Sequence, residues 1–376
     1  RFEDFKNGEC TIANSIVKEQ LLNDIVKFEI KDNSVFNIMP IEMPNKDIIF
    51  ISFTNANESF HSLCYDILIY QLQLSGKKLV SRISGFEFEG RYLSALGVKI
   101  NDKYYPLLCD INECRLLDIE NNNIKTQYFY KFLQRNEDLS DKIDYHISII
   151  NMDDKNKILF TYLAGKENHL SIININNVDL NSLQGIHQAN ESFLNLTNMN
   201  SYDIECFKTK NNYIECLYID YTCYYVAIYN ELLNYIGKIQ LDQNSIYSGY
   251  AYFERSIHVI HLKNEIGVLA YFIKDSNDQY SSNSYLRMQI NELYFTDNIP
   301  QFKNVIKNTQ IIDTNVIYGN VILKRALSHT SDTISLKKIN DNKFAYAYTS
   351  NANIILMIFD LYGNNPLFCN YIIDSF

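Results

Sequence analysis

The residues that could do chemistry are first of all acidic side chains that recur along the chain, each close to the expected start of a β-strand. They are Glu89, Asp144, Asp203, Glu254 and Asp332, and Arg91, His146 and Arg255 lie close to them in sequence. Carboxylates that converge would bind a hard divalent cation, or would raise one another's pKa and supply an acid/base pair. The alternative is a set of solvated charges at strand ends, which is usual in an acidic chain.

No other motif in the sequence identifies a reaction. His258 and His261 form HVIH, so they would face opposite sides of a strand and make a poor metal pair. The oxygen-rich segment 275–284 lacks the glycine that an EF-hand-type loop needs, and we expect an exposed loop there. There is no C-x-x-C pair, no zinc-type spacing, no glycine-rich phosphate loop and no G-x-S-x-G elbow. We therefore predict no cofactor, with a divalent cation at the acidic residues as the alternative.

A repeat of about 55 residues defines the elements that would position these side chains. Its most recognisable part is a polar turn with Asn, followed by an apolar strand with aromatic residues. The turn recurs at Asn45, Asn101, Asn156, Asn211, Asn264 and Asn342, and only the last interval is much longer. An alternating apolar segment precedes most of these turns, and a third strand and a weaker fourth strand follow them. The sequence thus predicts an all-β protein built from four-stranded units.

Six such units resemble a six-bladed β-propeller of four-stranded antiparallel blades. A single blade cannot bury both of its faces, whereas blades stacked in a closed ring bury a continuous core. The resemblance covers most of the chain, but it is one of architecture alone. The chain has no Trp, so it lacks the Trp-Asp dipeptide and the usual aspartate box of sialidases, and it also lacks the paired glycines of kelch repeats. No family's functional residues are therefore carried over to it.

The resemblance implies a single propeller domain over residues 1–376. Its blades would start near residues 31, 87, 143, 200, 250 and 331, after an N-terminal closure segment over residues 1–30. The longer last interval predicts an insertion over residues 292–332. A disulfide between Cys10 and Cys369 would close the ring, unless these are two unrelated cysteines. In a propeller, the acidic residues named above would crowd around the mouth of the central channel.

The chain has 8 cysteines, and several of them lie where a bridge could form. Cys109 and Cys114 flank a tight loop and could bridge it. Cys216 could pair with either Cys206 or Cys223, because sequence does not determine connectivity. Cysteines can instead act as small buried hydrophobic residues. An even number of cysteines is compatible with disulfides and with an oxidising compartment.

Three glycosylation sequons begin at Asn57, Asn190 and Asn195. The repeat places all three in loops, where an acceptor is exposed. An Asn-rich chain also produces sequons by chance. Together with the cysteines, the sequons favour a secreted or cell-surface protein, and a cytoplasmic location is the alternative. The chain begins at Arg1 rather than at Met, so we expect a processed or partial chain.

Charge and hydropathy exclude two classes of partner. The net charge is −10, and Lys and Arg are scattered without a basic stripe, which argues against nucleic acid as a partner. No apolar run approaches the roughly 20 residues that a membrane-spanning helix needs. The remaining partners are proteins or glycans, including a second copy of this chain in a homo-oligomer.

The sequence favours a non-enzymatic, extracellular or cell-surface propeller that acts as an interaction or structural module and could self-assemble. Loops from every blade converge on the faces of a propeller, which makes these faces suitable for binding. The alternatives are a six-bladed hydrolase or lactonase that uses a channel metal, and an intracellular scaffold. The hydrolase requires the acidic residues to converge around one ion, and the scaffold predicts free thiols and unmodified sequons.

Overall fold

The structure is a computed structural model of the 376-residue chain. It describes residues 5–6, 9–10, 35–45, 48–55, 64–73, 76–87, 94–100, 102–109, 113–120, 123–131, 147–152, 157–164, 167–174, 190–195, 204–220, 223–242, 257–274, 284–305, 310–312, 334–350, 353–360 and 367–375. Every regular element in these residues is a β-strand. A two-stranded hairpin, β1 (Phe5–Lys6) and β2 (Glu9–Cys10), comes first in the chain.

The chain divides into two compact units, one of Ile30–Cys206 with Leu232–Asn234, the other of Arg1–Glu29, Phe207–Glu231 and Tyr235–Phe376. The first of these contains three antiparallel sheets, each with its four strands in chain order. The first sheet is β3 (Val35–Glu42), β4 (Ile48–Asn55), β5 (Cys64–Gln73) and β6 (Gly76–Glu87). The second is β7 (Ser94–Ile100), β8 (Lys103–Cys109), β9 (Glu113–Glu120) and β10 (Asn123–Lys131). The third is β11 (Ile147–Asn151), β12 (Lys157–Ala164), β13 (Glu167–Asn174) and β14 (Asn190–Asn195).

Three further antiparallel sheets follow. Their residues belong to the other unit, apart from Ile204–Cys206 and Leu232–Asn234 of the fourth sheet. The fourth sheet is β15 (Ile204–Lys208), β16 (Tyr213–Asp220), β17 (Cys223–Asn230) and β18 (Tyr235–Asp242). The fifth is β19 (Ile257–His261), β20 (Ile266–Lys274), β21 (Ser284–Thr296) and β22 (Ile299–Asn304), and β23 (Gln310–Ile312) also pairs with β21. The sixth is β24 (Ile334–Asn340), β25 (Lys343–Ser350), β26 (Asn353–Asp360) and β27 (Leu367–Ser375).

The repeated Asn turns connect the first and second strands of the sheets. Asp102, Asn212 and Asn264 have φ angles of 64°, 68° and 53° in these turns. Asn and Asp adopt the left-handed backbone region more readily than other residues that have a β-carbon, which explains why the repeat keeps them here. The same backbone hydrogen bond closes two of the turns, from Thr209 N to Tyr213 O at 2.8 Å and from Leu262 N to Ile266 O at 2.9 Å.

In the unit Ile30–Cys206, the first strands of consecutive sheets lie side by side, β3 beside β7 and β7 beside β11. Gly97 on β7 makes the first of these contacts possible. A β-carbon at this position would lie 2.5 Å from the carbonyl oxygen of Glu42 and 2.8 Å from the Cα of Met43. A glycine in a strand often marks such a close approach of two backbones. Hydrophobic side chains of the second and third sheets then form one buried core, which includes Leu107 and Phe160.

In the other unit, the fourth and fifth sheets share a core that includes Leu217, Val226, Leu269 and Tyr271. β19 lies beside β24 of the sixth sheet, so first strands are again neighbours. Gly267 packs against the ring of Phe207, where a β-carbon would overlap the ring.

The predicted all-β class and the four-stranded antiparallel unit are confirmed. Six consecutive sheets with their strands in chain order have the blade topology of a propeller. Their first strands begin at Val35, Ser94, Ile147, Ile204, Ile257 and Ile334. The closed ring of six blades, and the single domain that it would form, stay predictions.

Candidate functional site

A β-hairpin at the edge of the fifth sheet carries two of the exposed large hydrophobic side chains, Tyr294 and Ile299, and we call residues 292–304 the outer hairpin. It joins the end of β21, a strand of 13 residues, to β22. Its two turn residues, Asp297 and Asn298, have φ angles of 51° and 64°. Two positive φ angles in a two-residue loop suit the right-handed twist of the strands, so the turn rigidifies the hairpin.

One face of the outer hairpin is buried against its own unit. Leu293 is buried in the core of the fourth and fifth sheets, and Phe295 and Phe302 pack against that core. The ring of Pro300 lies against Gly237 on β18, where a β-carbon would be 2.9 Å from the proline. These contacts fix the hairpin, so its opposite face is held in one orientation.

The opposite face, which we call the outer face, carries three cross-strand pairs. Tyr294 pairs with Gln301, and its hydroxyl donates a hydrogen bond of 2.6 Å to Gln301 Oε1. Glu292 pairs with Lys303 through an ion pair of 3.5 Å. Ile299 pairs with Thr296 and is 61% exposed, while Tyr294 is 40% exposed. The outer face therefore combines a rigid aromatic ring and an exposed aliphatic side chain with a polar, charge-balanced end.

A second group of polar residues joins the first turns of the fourth, fifth and sixth sheets. The backbone N–H of Asn211 donates to Glu265 Oε1 at 2.9 Å, which links the fourth sheet to the fifth. Lys338 Nζ donates to the carbonyl oxygen of Leu262 at 2.7 Å and forms an ion pair of 2.7 Å with Asp341. Side chains that bridge turns in this way hold adjacent sheets in register with one another.

His261 is part of this group of turns. Its Nε2 hydrogen-bonds to the carbonyl oxygen of Asn264, and its ring stacks on Phe207 with ring centroids 6.0 Å apart. Burial lowers the pKa of His261, and the positive charge of Lys338 lowers it further, against the opposing effect of the hydrogen bond. The imidazole is therefore neutral at pH 7, in keeping with a structural role.

Glu215 on β16 is the most deeply buried acidic side chain in the described residues, with 1% of its surface exposed. Its Oε1 has no hydrogen-bond partner. Burial, and next the negative charge of Glu265, raise the pKa of the Glu215 carboxyl well above its ordinary value. Sequence reasoning missed Glu215, because a single Glu in a strand is normally assigned to the solvent face.

The candidates for a ligand or metal site lie outside the described residues, so the structure neither brings them together nor separates them. They are Glu89, Arg91, Asp144, His146, Asp203, Glu254, Arg255 and Asp332. Among the residues that are described, no group of three or more His, Cys, Asp or Glu side chains is placed to hold a metal ion. The predicted convergence around a channel stays a prediction.

Disulfides are present. Cys109 and Cys114 are bonded across the β8–β9 loop, at paired positions of the two strands. Cys206 and Cys216 are each disulfide-bonded as well. Cys223 has to be removed from the candidates for a disulfide, because it retains its thiol. This thiol accepts a hydrogen bond from Gln240 Nε2 at 3.4 Å. The backbones of Cys10 and Cys369 lie in β2 and β27, whereas their side chains are outside the described residues, so their bond stays a prediction.

The expected loop placement of the sequons needs a correction. Asn190 and Asn195 are the first and last residues of β14, which pairs with β13 at the edge of the third sheet. A polar segment is expected to form a loop, but an edge strand is held by backbone hydrogen bonds and tolerates polar side chains. Asn57 lies outside the described residues. Modification of the three acceptors stays a prediction.

The predicted insertion also differs in part from the structure. Its first residues, 292–304, are the outer hairpin, which is an integral part of the fifth sheet. Residues 310–312 form β23, which pairs with β21, and residues 313–332 lie outside the described residues. The segment LYFTDNIPQF places two turn-forming residues between alternating apolar positions, which is a hairpin signal that does not depend on the repeat. Within the described residues, no helix is long and apolar enough to cross a membrane.

No protein-family model matches the chain, and no curated protein does. Among solved structures, a protein from Lactobacillus plantarum is similar with a TM-score of 0.48 and 11% identity, over 92% of this chain and 86% of that one. The NanB sialidase from Streptococcus pneumoniae has a TM-score of 0.45 and 8% identity, over 93% and 70% of the two chains. A puromycin-hydrolysing peptidase from Mycobacterium tuberculosis has a TM-score of 0.44 and 7% identity, over 88% of this chain and 46% of that one. The chain thus spans less than half of the peptidase, and similarities at these scores carry no argument about its activity.

Proposed function

We propose that this protein is a protein-binding module and that the outer face of residues 292–304 is a surface through which it associates with a second copy of itself. The observation that carries the proposal is the exposed pair of Tyr294 and Ile299 on a hairpin that is fixed from behind. Aromatic side chains with few rotatable bonds lose little entropy on binding, and tyrosine is enriched at the centres of protein interfaces.

Charge supports a second copy as the partner. The chain has a net charge of −10, so most encounters between two copies are repulsive. On the outer face Lys303 neutralises Glu292, and residues 292–304 carry a net charge of only −1, from Asp297 in the turn. Two acidic molecules can therefore approach through this face with less repulsion than elsewhere.

The compartment belongs to the same proposal. Disulfides form and persist mainly in oxidising compartments, and the chain contains disulfide-bonded cysteines in both of its units. We propose that the protein is secreted or displayed on a cell surface, where homotypic association would build an assembly. Intact mass before and after glycosidase treatment tests this, because sugar on Asn57, Asn190 or Asn195 requires passage through the secretory pathway.

Sedimentation velocity over a range of concentrations tests the association. The wild-type chain is expected to sediment as a reversible mixture of monomer and oligomer. Tyr294→Asp and Ile299→Asp each place a charge in the middle of the interface, and each is expected to shift the chain to monomer. Both side chains are exposed, so neither variant should change the fold.

Tyr104 provides the matched control, since it is another exposed tyrosine, at 38%, on a different sheet. Tyr104→Asp should leave the association unchanged. A wild-type chain that stays monomeric at every concentration, or an oligomer that all three variants preserve, would overturn the proposal.

A second proposal is a hydrolase or lactonase with a channel metal, and one sequence observation favours it. Acidic residues recur close to the first strands of five sheets, at Glu89, Asp144, Asp203, Glu254 and Asp332. The proposal does not draw on the sialidase or the peptidase named above. The test is hydrolysis of simple esters and lactones. The proposal is supported if a chelator abolishes the activity and Asp144→Asn reduces it at least about a hundredfold. Activity that survives both treatments would contradict it.

A further inference from the structure

A buried carboxyl lies in the apolar layer between the fourth and fifth sheets. Side chains alternate along β16, so Tyr213, Glu215 and Leu217 share one face of that strand. Leu217 is buried in the core that also contains Leu269 of the fifth sheet, and Tyr213 packs against that core. Glu215 therefore points into this layer, which agrees with its exposure of 1%.

One oxygen of the Glu215 carboxyl lacks the hydrogen bond that normally accompanies burial. Its Oε1 is inaccessible to solvent and has no hydrogen-bond partner. Buried polar atoms are nearly always hydrogen-bonded, and a buried charge requires a counter-charge. At this depth the carboxyl is therefore stabilised either by a proton or by a bound cation.

Glu265 brings a second carboxyl to the same place. It lies in the turn between β19 and β20, and its carbonyl oxygen accepts a hydrogen bond of 3.0 Å from Leu293 N. Its Oε1 accepts a bond of 2.9 Å from the N–H of Asn211, which precedes β16, and this bond holds the carboxylate over the start of that strand. Its other oxygen, Oε2, is also buried and without a partner.

Glu215 and Glu265 each present one buried oxygen without a hydrogen-bond partner. The negative charges of the two carboxylates repel each other, and the charge of Glu265 accordingly raises the pKa of Glu215. Lys338, the lysine that reaches the same turn of the fifth sheet, is bound to Leu262 and Asp341 instead. The two carboxyls therefore supply two hard oxygen ligands, and Lys210 lies beside the same turn, because its backbone N–H donates to the carbonyl oxygen of Asn264 at 3.3 Å.

We propose that Glu215 Oε1 and Glu265 Oε2 bind one hard divalent cation, Ca²⁺ or Mg²⁺, between the fourth and fifth sheets. Cations of this class bind one or two carboxylates and complete their coordination with water, which would enter beside the half-buried Glu265. The site is separate from the channel cation considered above, because it uses none of those acidic residues. Its role would be to join two adjacent sheets at their turns.

Chelator-treated full-length chain, titrated with Ca²⁺ and with Mg²⁺ in a calorimeter, tests the proposal. We expect one site with a dissociation constant of about 1 mM or tighter, as in extracellular calcium modules, and a rise in melting temperature on binding. Tb³⁺ provides an independent probe, because tyrosine sensitises its luminescence and Tyr213 lies two residues before Glu215. The chain has no Trp to compete with this signal.

Glu215→Gln and Glu265→Gln should each weaken binding at least about tenfold, since each removes one charged ligand. Glu292→Gln is the matched control, because Glu292 belongs to the same unit but pairs with Lys303 at the surface, and it should bind as the wild type does. If Glu215→Gln fails to fold, the binding measured for Glu265→Gln tests the proposal, because the side chain of Glu265 is only half-buried.

Three results would overturn the proposal. One is the absence of binding heat and of Tb³⁺ luminescence. Another is binding that both glutamine variants retain. The last is a melting temperature that ignores divalent cations but rises on acidification, which would mean that the two carboxyls share a proton.

Discussion

Glu215 shows how much a single residue departs from what its type suggests. A glutamate between two apolar neighbours on a strand is expected to face water, but here it lies in the layer between two sheets. Burial and the charge of Glu265 both favour its protonated form. In metal-free protein, the folded chain therefore holds this proton to a higher pH than the unfolded chain does.

This difference predicts how stability depends on pH in chelator-treated protein. The folded-state pKa of Glu215 is raised, so its contribution to the free energy of unfolding is fully present below the unfolded pKa of about 4.3. That contribution is lost as the pH rises towards the raised folded-state value. Urea unfolding of wild type and Glu215→Gln at a series of pH values measures the loss. The wild type should lose stability over this range relative to the variant, and parallel profiles would contradict the assignment.

The turn residues are the opposite case, because their residue types alone are sufficient to predict their backbone conformation. The sequence predicts turns at Asn101, Asn211 and Asn264, and in these turns Asp102, Asn212 and Asn264 have positive φ angles. The preference is local to one residue and does not depend on packing, so the sequence alone could reveal it. Glu215 depends on a neighbouring sheet that is distant in sequence, so no local signal could have identified it.

At the scale of elements, Gly97 determines how closely β3 and β7 pack. Gly97→Ala would place a β-carbon 2.5 Å from a backbone oxygen, which cannot move without distorting β3. We expect a loss of about 1–3 kcal/mol in the free energy of unfolding, as for other overpacked sites, measured by urea denaturation.

Gly237→Ala is the comparison for this variant. Its β-carbon would meet only the ring of Pro300, at 2.9 Å, which is a less severe overlap than the 2.5 Å contact at position 97, and the proline Cγ can move by a change of ring pucker. Its cost should therefore be clearly smaller than that of Gly97→Ala. Equal costs at the two positions would show that the backbone of β3 yields as readily as a side chain.

The disulfide between Cys109 and Cys114 is expected to stabilise the hairpin of β8 and β9. It closes a short loop, with a sequence separation of 5, so its removal should cost about 2 kcal/mol by the loop-entropy relation. Replacement of both cysteines by Ala, followed by thermal or urea unfolding, measures this. Cys223→Ala is the control, because Cys223 retains its thiol, and it should change stability by less than about 0.5 kcal/mol. A wild type that is insensitive to reducing agent would contradict the prediction.

The strands themselves could be predicted where apolar residues alternate. Segments 65–72 and 224–230 alternate in this way, and they lie within β5 and β17. Two strands could not be found by this signal. β7 is interrupted by the glycine that its close packing requires, and β14 is a polar edge strand. The outer hairpin was assigned to an insertion because its length departs from the repeat.

At the scale of the whole molecule, the sequence predicted six four-stranded units, and the structure contains six sheets with strands in that order. The repeat made this possible, because the same pattern of turn and strand occurs in each unit. The ring that would join the sheets depends on the contact between the two ends of the chain, which stays a prediction. Function could not be predicted with the same certainty, since architecture does not determine activity.

The account of function rests on one surface, so the most direct measurement asks whether that surface contacts another molecule of the chain. We would replace Ile299 by a photo-crosslinking phenylalanine derivative, irradiate the purified full-length chain, and identify the products by mass spectrometry. The account predicts a covalent dimer whose crosslinks fall in residues 292–304 of the second copy, and no dimer when the same group replaces Tyr104. Monomer alone, or equal dimer yields from the two positions, would contradict it.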